Sequence, residues 1–284
     1  MKSGIVASLM AMISIKRSGS KFKGTILYTA VGDEEFHSQF GTKYLIENGL
    51  KADYAICCEP TNLDLELGNR GLVMIDVMIK GRSCHAGRPN LGVNAIHRAA
   101  RIVNALDEMV FNQLQNEAFE LPHGNISVVA INGGEKINVI PDRCSLYIDR
   151  RLMPGEKGSN AVGEISDIVK KVTGIKPDIG QDLGSEIVMF PEFWHEPFWI
   201  SETAPIAVSA YKNIMRILGK APAIRGKAAG TDASHLVALA NIPTIILGPG
   251  DFKLSHTSNE KVKLSDVLTA AKIYEAIVLD LLNE

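Results

Sequence analysis

The sequence predicts an α/β protein with a smaller α+β domain inserted into it. Three observations carry this. Helix-period segments and short apolar runs alternate at the start of the chain and again after about residue 200, the pattern of a mixed, mostly parallel sheet with helices on both faces. Between them the order changes to strand, helix, strand, strand, helix, most of a ferredoxin-like split βαβ unit. And 284 residues are more than one ordinary core requires. The expected boundaries are 1–71 and 181–284 for the larger domain and 72–180 for the insertion.

The elements follow in order. Residues 3–17 read as an amphipathic helix with Ile5, Leu9 and Met12 on one side. The run TILYTAV predicts a strand over 24–31, and SQFGTKYLIENG a short helix near 38–48 closed by Gly49. DYAICC predicts a strand over 53–58. In the insertion, LVMIDVMIKG is a strand ending at Gly81, and the next helix sets Ile96, Ala99, Val103 and Leu106 on one face, with Ser83 or Asn90 as candidate caps. NISVVAING and CSLYIDRRL are strands, the second alternating Cys144, Leu146 and Ile148 against Ser145, Tyr147 and Asp149. A helix with Val162, Ile165, Val169 and Val172 in register follows. GSEIVMFPEFWHEPFWIS, with both tryptophans, reads as irregular. A helix over 204–218, the segment AGTDASHLVALAN, the strand IPTIILG, a loop PGDFKLSHTSNE and a last helix from about 264 complete the chain.

Composition narrows the function classes. The net charge is −2 and no basic stripe interleaves with aromatics, which argues against nucleic acid as a partner. No apolar run is as long as a membrane span. The opening run is broken by Ser and Gly and lacks a clear cleavage site, so a cytoplasmic protein is expected. The four cysteines form neither a zinc-knot spacing nor a disulfide framework.

Three expected strands of the larger domain run into metal-ligand types. The strand 24–31 leads to Glu34 and Glu35, the strand 53–58 to Glu59, and the strand after 242 to a loop bearing His256. Sites in open α/β sheets form outside the carboxyl ends of strands. Carboxylates converging there repel unless a cation sits among them. Carboxylate and imidazole together suit zinc, with manganese or cobalt as alternatives. Taken singly, each reads more readily as something else, the paired glutamates as surface charges, Glu59 as a strand end and His256 as a loop histidine.

The ordered set GDEEFHSQFGTKYLIENG, CCEPT, GRSCHAGRPNLGVNAI, GGEKINVIPDRC with DRRLMPGE, GTDAS and GPGDFKLSHTSNE resembles the M20 family of metallopeptidases and deacylases, of the acetylornithine deacetylase and succinyl-diaminopimelate desuccinylase type. The resemblance covers essentially the whole chain. It implies a zinc-hydrolase catalytic domain with an inserted lid and dimerisation domain. It makes Glu34 the general base, Glu35 and Glu59 ligands of two different zinc ions, and His256 the partner of Glu35 on its zinc. It makes His85 a lid histidine that polarises the scissile carbonyl in the partner subunit. Asn138, Arg151, Gly230 and Thr231 match positions that hold the substrate's carboxylate and carbonyl groups. A homodimer through the lid follows, with an N-acyl amino acid or a dipeptide as substrate.

The chain departs from the family at its start. The family has an upstream His-x-Asp motif and a bridging aspartate just before a Met-Lys pair, and here Met1-Lys2 opens the sequence. An N-terminally truncated catalytic domain is therefore expected, with Glu35, Glu59 and His256 left as an incomplete ligand set. Two other functions stand beside the N-acyl amino acid hydrolase. One is a dipeptidase or aminopeptidase of the same family, the other a non-catalytic dimeric binding protein.

Overall fold

The computed structural model describes residues 1–111 and 114–283 and divides them into two compact units. The first comprises Met1–Asn69, Ala118–Glu120 and Phe198–Glu284, the second Arg70–Glu117 and Leu121–Pro197. Each has its own buried apolar cluster.

The chain enters the first unit through α1 (Lys2–Ser18), α2 (Thr42–Glu47), β1 (Ala55–Cys57) and β2 (Leu65–Asn69). The buried side of α1 is Gly4, Ala7, Ala11 and Ile15, not the expected Ile5, Leu9 and Met12. Small side chains let the helix lie close to α7, and Leu9 is left exposed. The expected strand 24–31 belongs to no sheet, and Leu27 is 58% exposed. Its residues have strand propensity, but a strand exists only through a paired neighbour, and none runs beside it among the described residues.

The second unit contains β3 (Gly71–Lys80), β4 (Cys84–His85), α3 (Ala95–Asp107), β5 (Asn125–Gly133), β6 (Val139–Ile140), β7 (Arg143–Leu152), α4 (Gly158–Thr173), β8 (Asp178–Ile179) and β9 (Ile187–His195). Its main sheet has the order β5-β7-β3-β9-β8. The four long strands are antiparallel neighbours throughout, which with α3 and α4 gives the ferredoxin-like arrangement. Cys144, Leu146 and Ile148 point inward as their alternation predicts, while Tyr147 is exposed. On α3 the buried face is Ala95, Ala99, Ile102 and Leu106, and the cap is Asn94, which accepts from the N–H groups of Ile96 and His97. Neither Ser83 nor Asn90 serves.

The segment read as irregular contains β9, the last long strand of this sheet, so the unit extends to Pro197 rather than to about 180. Pro191 is the feature that misleads. It lies beyond Met189, the last residue at which β8 pairs with the outer edge of β9, so its missing N–H leaves no gap in a ladder there.

The chain returns to the first unit through β10 (Phe198–Trp199), α5 (Pro205–Leu218), β11 (Ile224–Lys227), α6 (Ala233–Ala240), β12 (Thr244–Ile246) and α7 (Leu264–Leu282). The sheet is mixed. β1 pairs with β12 in parallel, and β12 meets β2 antiparallel through one bridge. β2, buried at every residue, carries β11 in parallel along one edge and β12 and then antiparallel β10 along the other. Helices α1, α5 and α7 form one packed group, and α2 with α6 another. One short excursion also belongs here. Phe119, 3% exposed, packs in a tilted arrangement on Trp199 with ring centroids 5.8 Å apart, and the Gly226 N–H donates to the Ala118 carbonyl at 2.9 Å. A Cβ on Gly226 would lie 2.3 Å from the Phe119 ring, so only glycine permits this seat.

Candidate active site

Glu34 and Glu35 open a single 3-10 turn, Glu34–Phe36. The turn is wound tightly around Asp33, whose carbonyl accepts from the N–H groups of Phe36 (3.1 Å) and Ser38 (2.9 Å) and whose carboxylate accepts from that of Phe40 (2.9 Å). Asp33, His37 and Ser38 all adopt left-handed backbone, a conformation side chains other than glycine's disfavour. Glu59 follows the carboxyl end of β1, where Gly248 holds the next turn by accepting from the N–H groups of Thr61 and Leu63. His256 follows a 3-10 turn, Phe252–Leu254, at φ 61°. Its Nε2 lies 3.0 Å from Glu35 Oε1, so the fold brings these two residues together across 221 positions. Both are exposed.

The charges around this pair are unbalanced. Burial, and then the charges of Glu59, Asp232 and Glu35, push the Glu34 carboxyl up to about 7, against a pull from Lys227. Burial likewise raises Glu59 and Asp232 above the usual carboxylate range. Lys227 is a buried cation, 2% exposed. Its ammonium donates to the Pro60 carbonyl at 3.0 Å, meets Glu66 Oε2 at 3.4 Å and lies 4.2 Å from the centroid of the Phe252 ring. Lys227 thus pulls on three carboxylates, Glu34, Glu59 and Glu66, while the cation beside Asp232 is Lys43. Carboxylate and imidazole donors around excess negative charge have the chemistry that a divalent cation requires. The geometry is less complete. Glu35 and His256 are in contact, but among the described residues no three His, Cys, Asp or Glu side chains group closely enough to hold a metal. Of the expected ligands Glu35, Glu59 and His256, Glu59 is an electrostatic neighbour and not a member of that pair.

The expected substrate residues divide between the units. Thr231 is buried in the first, its hydroxyl donating to Asn69 Oδ1 at 3.1 Å, and Gly230 precedes it at the start of α6. In the second unit, β4 pairs antiparallel with β6, setting His85 opposite Val139, and the Asn138 carbonyl accepts from the Ala86 N–H at 2.9 Å. His85 and Asn138 are therefore neighbours. His85 Nδ1 accepts from the Gly87 N–H at 3.0 Å, which leaves the ring hydrogen of a neutral imidazole on Nε2. Arg151 forms a two-point ion pair with Asp149, at 2.8 and 2.9 Å, so its guanidinium fork already has a carboxylate.

Two residues escaped sequence reasoning. Asp232 follows Thr231 directly and was within reach of the GTD motif; Lys227 lies on a short strand with nothing to separate it from a surface lysine.

Relatives now place the chain. Acetylornithine deacetylase of Myxococcus xanthus is 27% identical over 257 residues, covering 88% of this chain and 63% of that protein. The M20 peptidase dimerisation domain model matches residues 67–176. A protein of Escherichia coli (strain K12), "Uncharacterized protein YgeY", is 30% identical over 282 residues, covering 97% of this chain and 70% of that protein. The chain belongs to the M20 family. M20 proteins are metallopeptidases and deacylases, metal-dependent hydrolases of amide bonds. The M20 fold is seen directly in aminopeptidase PepT from Bacillus cereus, which superposes with a TM-score of 0.80 at 21% identity over 99% of this chain and 70% of that one. Among the described residues of this M20 chain no helix is long and apolar enough to cross a membrane.

Proposed function

We propose that this M20 chain is a zinc-dependent amidohydrolase that removes the acyl group of an N-acyl amino acid, with Glu34 as general base. The observation that carries the reading is the Glu34 carboxyl, pushed up to about 7 beside the Glu35–His256 pair. A base poised near the working pH both accepts and returns a proton efficiently. Glu34 takes the proton of the attacking water and delivers it to the leaving amine. Glu35 and His256 would together hold one divalent ion, and Glu59 would be a ligand of the other. The chemistry a divalent ion supplies there when bound is Lewis-acid polarisation of the amide carbonyl.

His85, through Nε2–H, is the donor proposed for the oxyanion developing in the active site of the partner subunit, with its neighbour Asn138 among the substrate-binding groups. Gly230 and Thr231 contribute backbone groups, since the Thr231 hydroxyl is engaged by Asn69. Arg151 receives the substrate carboxylate only by exchanging it for Asp149. The dimerisation-domain match and the ferredoxin-like sheet support a homodimer formed through the second unit.

The test is Glu34→Gln, assayed on N-acetyl and N-succinyl amino acids and on di- and tripeptides, with metal content measured on the same samples. Turnover is expected to fall by about 10²–10⁴-fold with zinc content unchanged. A variant that keeps its turnover removes Glu34 from the mechanism. Hydrolysis of peptides and not of acyl amino acids replaces the deacylase reading with an aminopeptidase one.

A further inference from the structure

The Asp232 carboxylate is a buried group to which the proposed chemistry gives no role. Asp232 stands at the N-cap of α6, the position where aspartate ordinarily accepts from its own helix, yet it makes no side-chain cap bond. Instead it reaches across the fold. Ser38 donates its hydroxyl to Oδ1, and Thr42, the first residue of α2, donates to Oδ2 at 2.8 Å. All three residues are buried, Ser38 completely.

Those two hydroxyls bracket the far end of the loop that carries Glu34 and Glu35. That loop passes through three left-handed residues, Asp33, His37 and Ser38, which local preference disfavours. The N–H groups of Phe36, Ser38, Phe40, Gly41 and Lys43 all donate to Asp33 or Ser38. Ser38 is therefore both the closing point of the turn and its attachment to α6.

We propose that Asp232 is a positioning residue, which fixes Glu34 and Glu35 by holding the hydroxyls of Ser38 and Thr42. The consequence for catalysis rests on the roles proposed for those two glutamates. The positioning itself does not, and the test separates them.

Amide hydrogen exchange is measured on the full chain, alongside kcat and KM for an N-acyl amino acid. Asp232→Ala is expected to speed exchange at the amides of residues 34–41 by at least about tenfold, with the second unit unchanged. Asp232→Asn, which keeps one acceptor oxygen, should fall between it and the wild type. Thr42→Ser should behave as wild type and Thr42→Ala should not. kcat should fall by about 10–100-fold with KM within about twofold, because a displaced base costs turnover more than binding. Adding Asp232→Ala to a Ser38→Ala, Thr42→Ala chain should cost little more, since all three act as one unit.

Unchanged exchange at 34–41 in Asp232→Ala, or fully additive effects in the combined chain, overturns the proposal. If Asp232→Ala does not fold, Thr42→Ala against Thr42→Ser carries the same comparison. If no amide is hydrolysed at all, the function reading fails, and the exchange data still decide whether Asp232 holds the loop.

Discussion

Placing one methyl group at Gly248 tests whether the end of β12 sets the position of Glu59. A Cβ there would lie 2.5 Å from the Glu59 carbonyl oxygen and 2.8 Å from that of Cys58. The first contact is about 0.9 Å short of the 3.4 Å at which ordinary van der Waals contact begins. Gly248 cannot easily yield. Its carbonyl accepts from Thr61 at 3.1 Å and Leu63 at 3.2 Å, and its N–H donates to the Thr61 hydroxyl at 3.3 Å. The displacement must therefore fall largely on the Glu59 backbone. Overpacking of this kind costs about 1–3 kcal/mol. A shift of about 1 Å in a positioned group lowers turnover by roughly 10²-fold. Gly163, inside α4 with no atom within 4 Å of a built Cβ, is the comparison. There alanine should stabilise by about 0.5–1 kcal/mol through helix propensity. Urea unfolding midpoints and zinc content of Gly248→Ala, Gly163→Ala and wild type give the answer. A Gly248→Ala midpoint at or above wild type, with zinc content retained, refutes the steric argument.

Glu34 and Glu66 are each pushed up to about 7, chiefly by burial, from an ordinary value of 4.5. The folded metal-free chain thus binds more protons than the unfolded one between about pH 4.5 and 7, so its stability falls as pH rises through that window. The urea midpoint should be lower at pH 8 than at pH 6, with added Zn²⁺ recovering part of the loss; a midpoint that climbs from 6 to 8 contradicts this. In the second unit, Glu156 pairs with the Arg150 guanidinium, which is 1% exposed, and accepts from the Met153 N–H at 2.6 Å. Glu156→Ala leaves a buried charge without its carboxylate and should cost about 3–5 kcal/mol in thermal or urea unfolding. Replacing both partners, Arg150→Met with Glu156→Leu, should cost much less, and equal damage would show that the loss is one of packing.

Much of the second unit was legible in the sequence because its signals are local and repeated. Alternation in CSLYIDRRL set Cys144, Leu146 and Ile148 inward, and the helix periods at 95–107 and 158–173 placed both helices. The faces came out less well. Ile102 replaced Val103 on α3, and α1 buried Gly4 and Ala7 in place of Leu9, because contact distance and not hydrophobicity selects the side a helix turns inward. β9 was obscured by Pro191, harmless where the outer edge has no partner. The segment 24–31 shows the converse error, strand-forming residues without a ladder to join. At the site, Glu35 and His256 stood out as members of two motifs and lie in contact in the fold, whereas the buried Lys227 and Asp232 owe their surroundings to partners more than 160 residues away in sequence.

The seat of Phe119 bears on how this architecture can be exchanged between proteins. An insertion joined at two points can be cut out and its host closed behind it. Here the chain leaves the second unit for three residues, Ala118–Glu120, and deposits an aromatic side chain against Trp199 and Gly226 before going back. Excising residues 70–197 would strip that ring from the host, forfeiting about 1.5–3 kcal/mol of burial, and the excised piece would carry the same ring into water. The two units are therefore stitched rather than plugged together, and a graft from a relative must bring its own residue for that seat or fill the space over Gly226 from the host side.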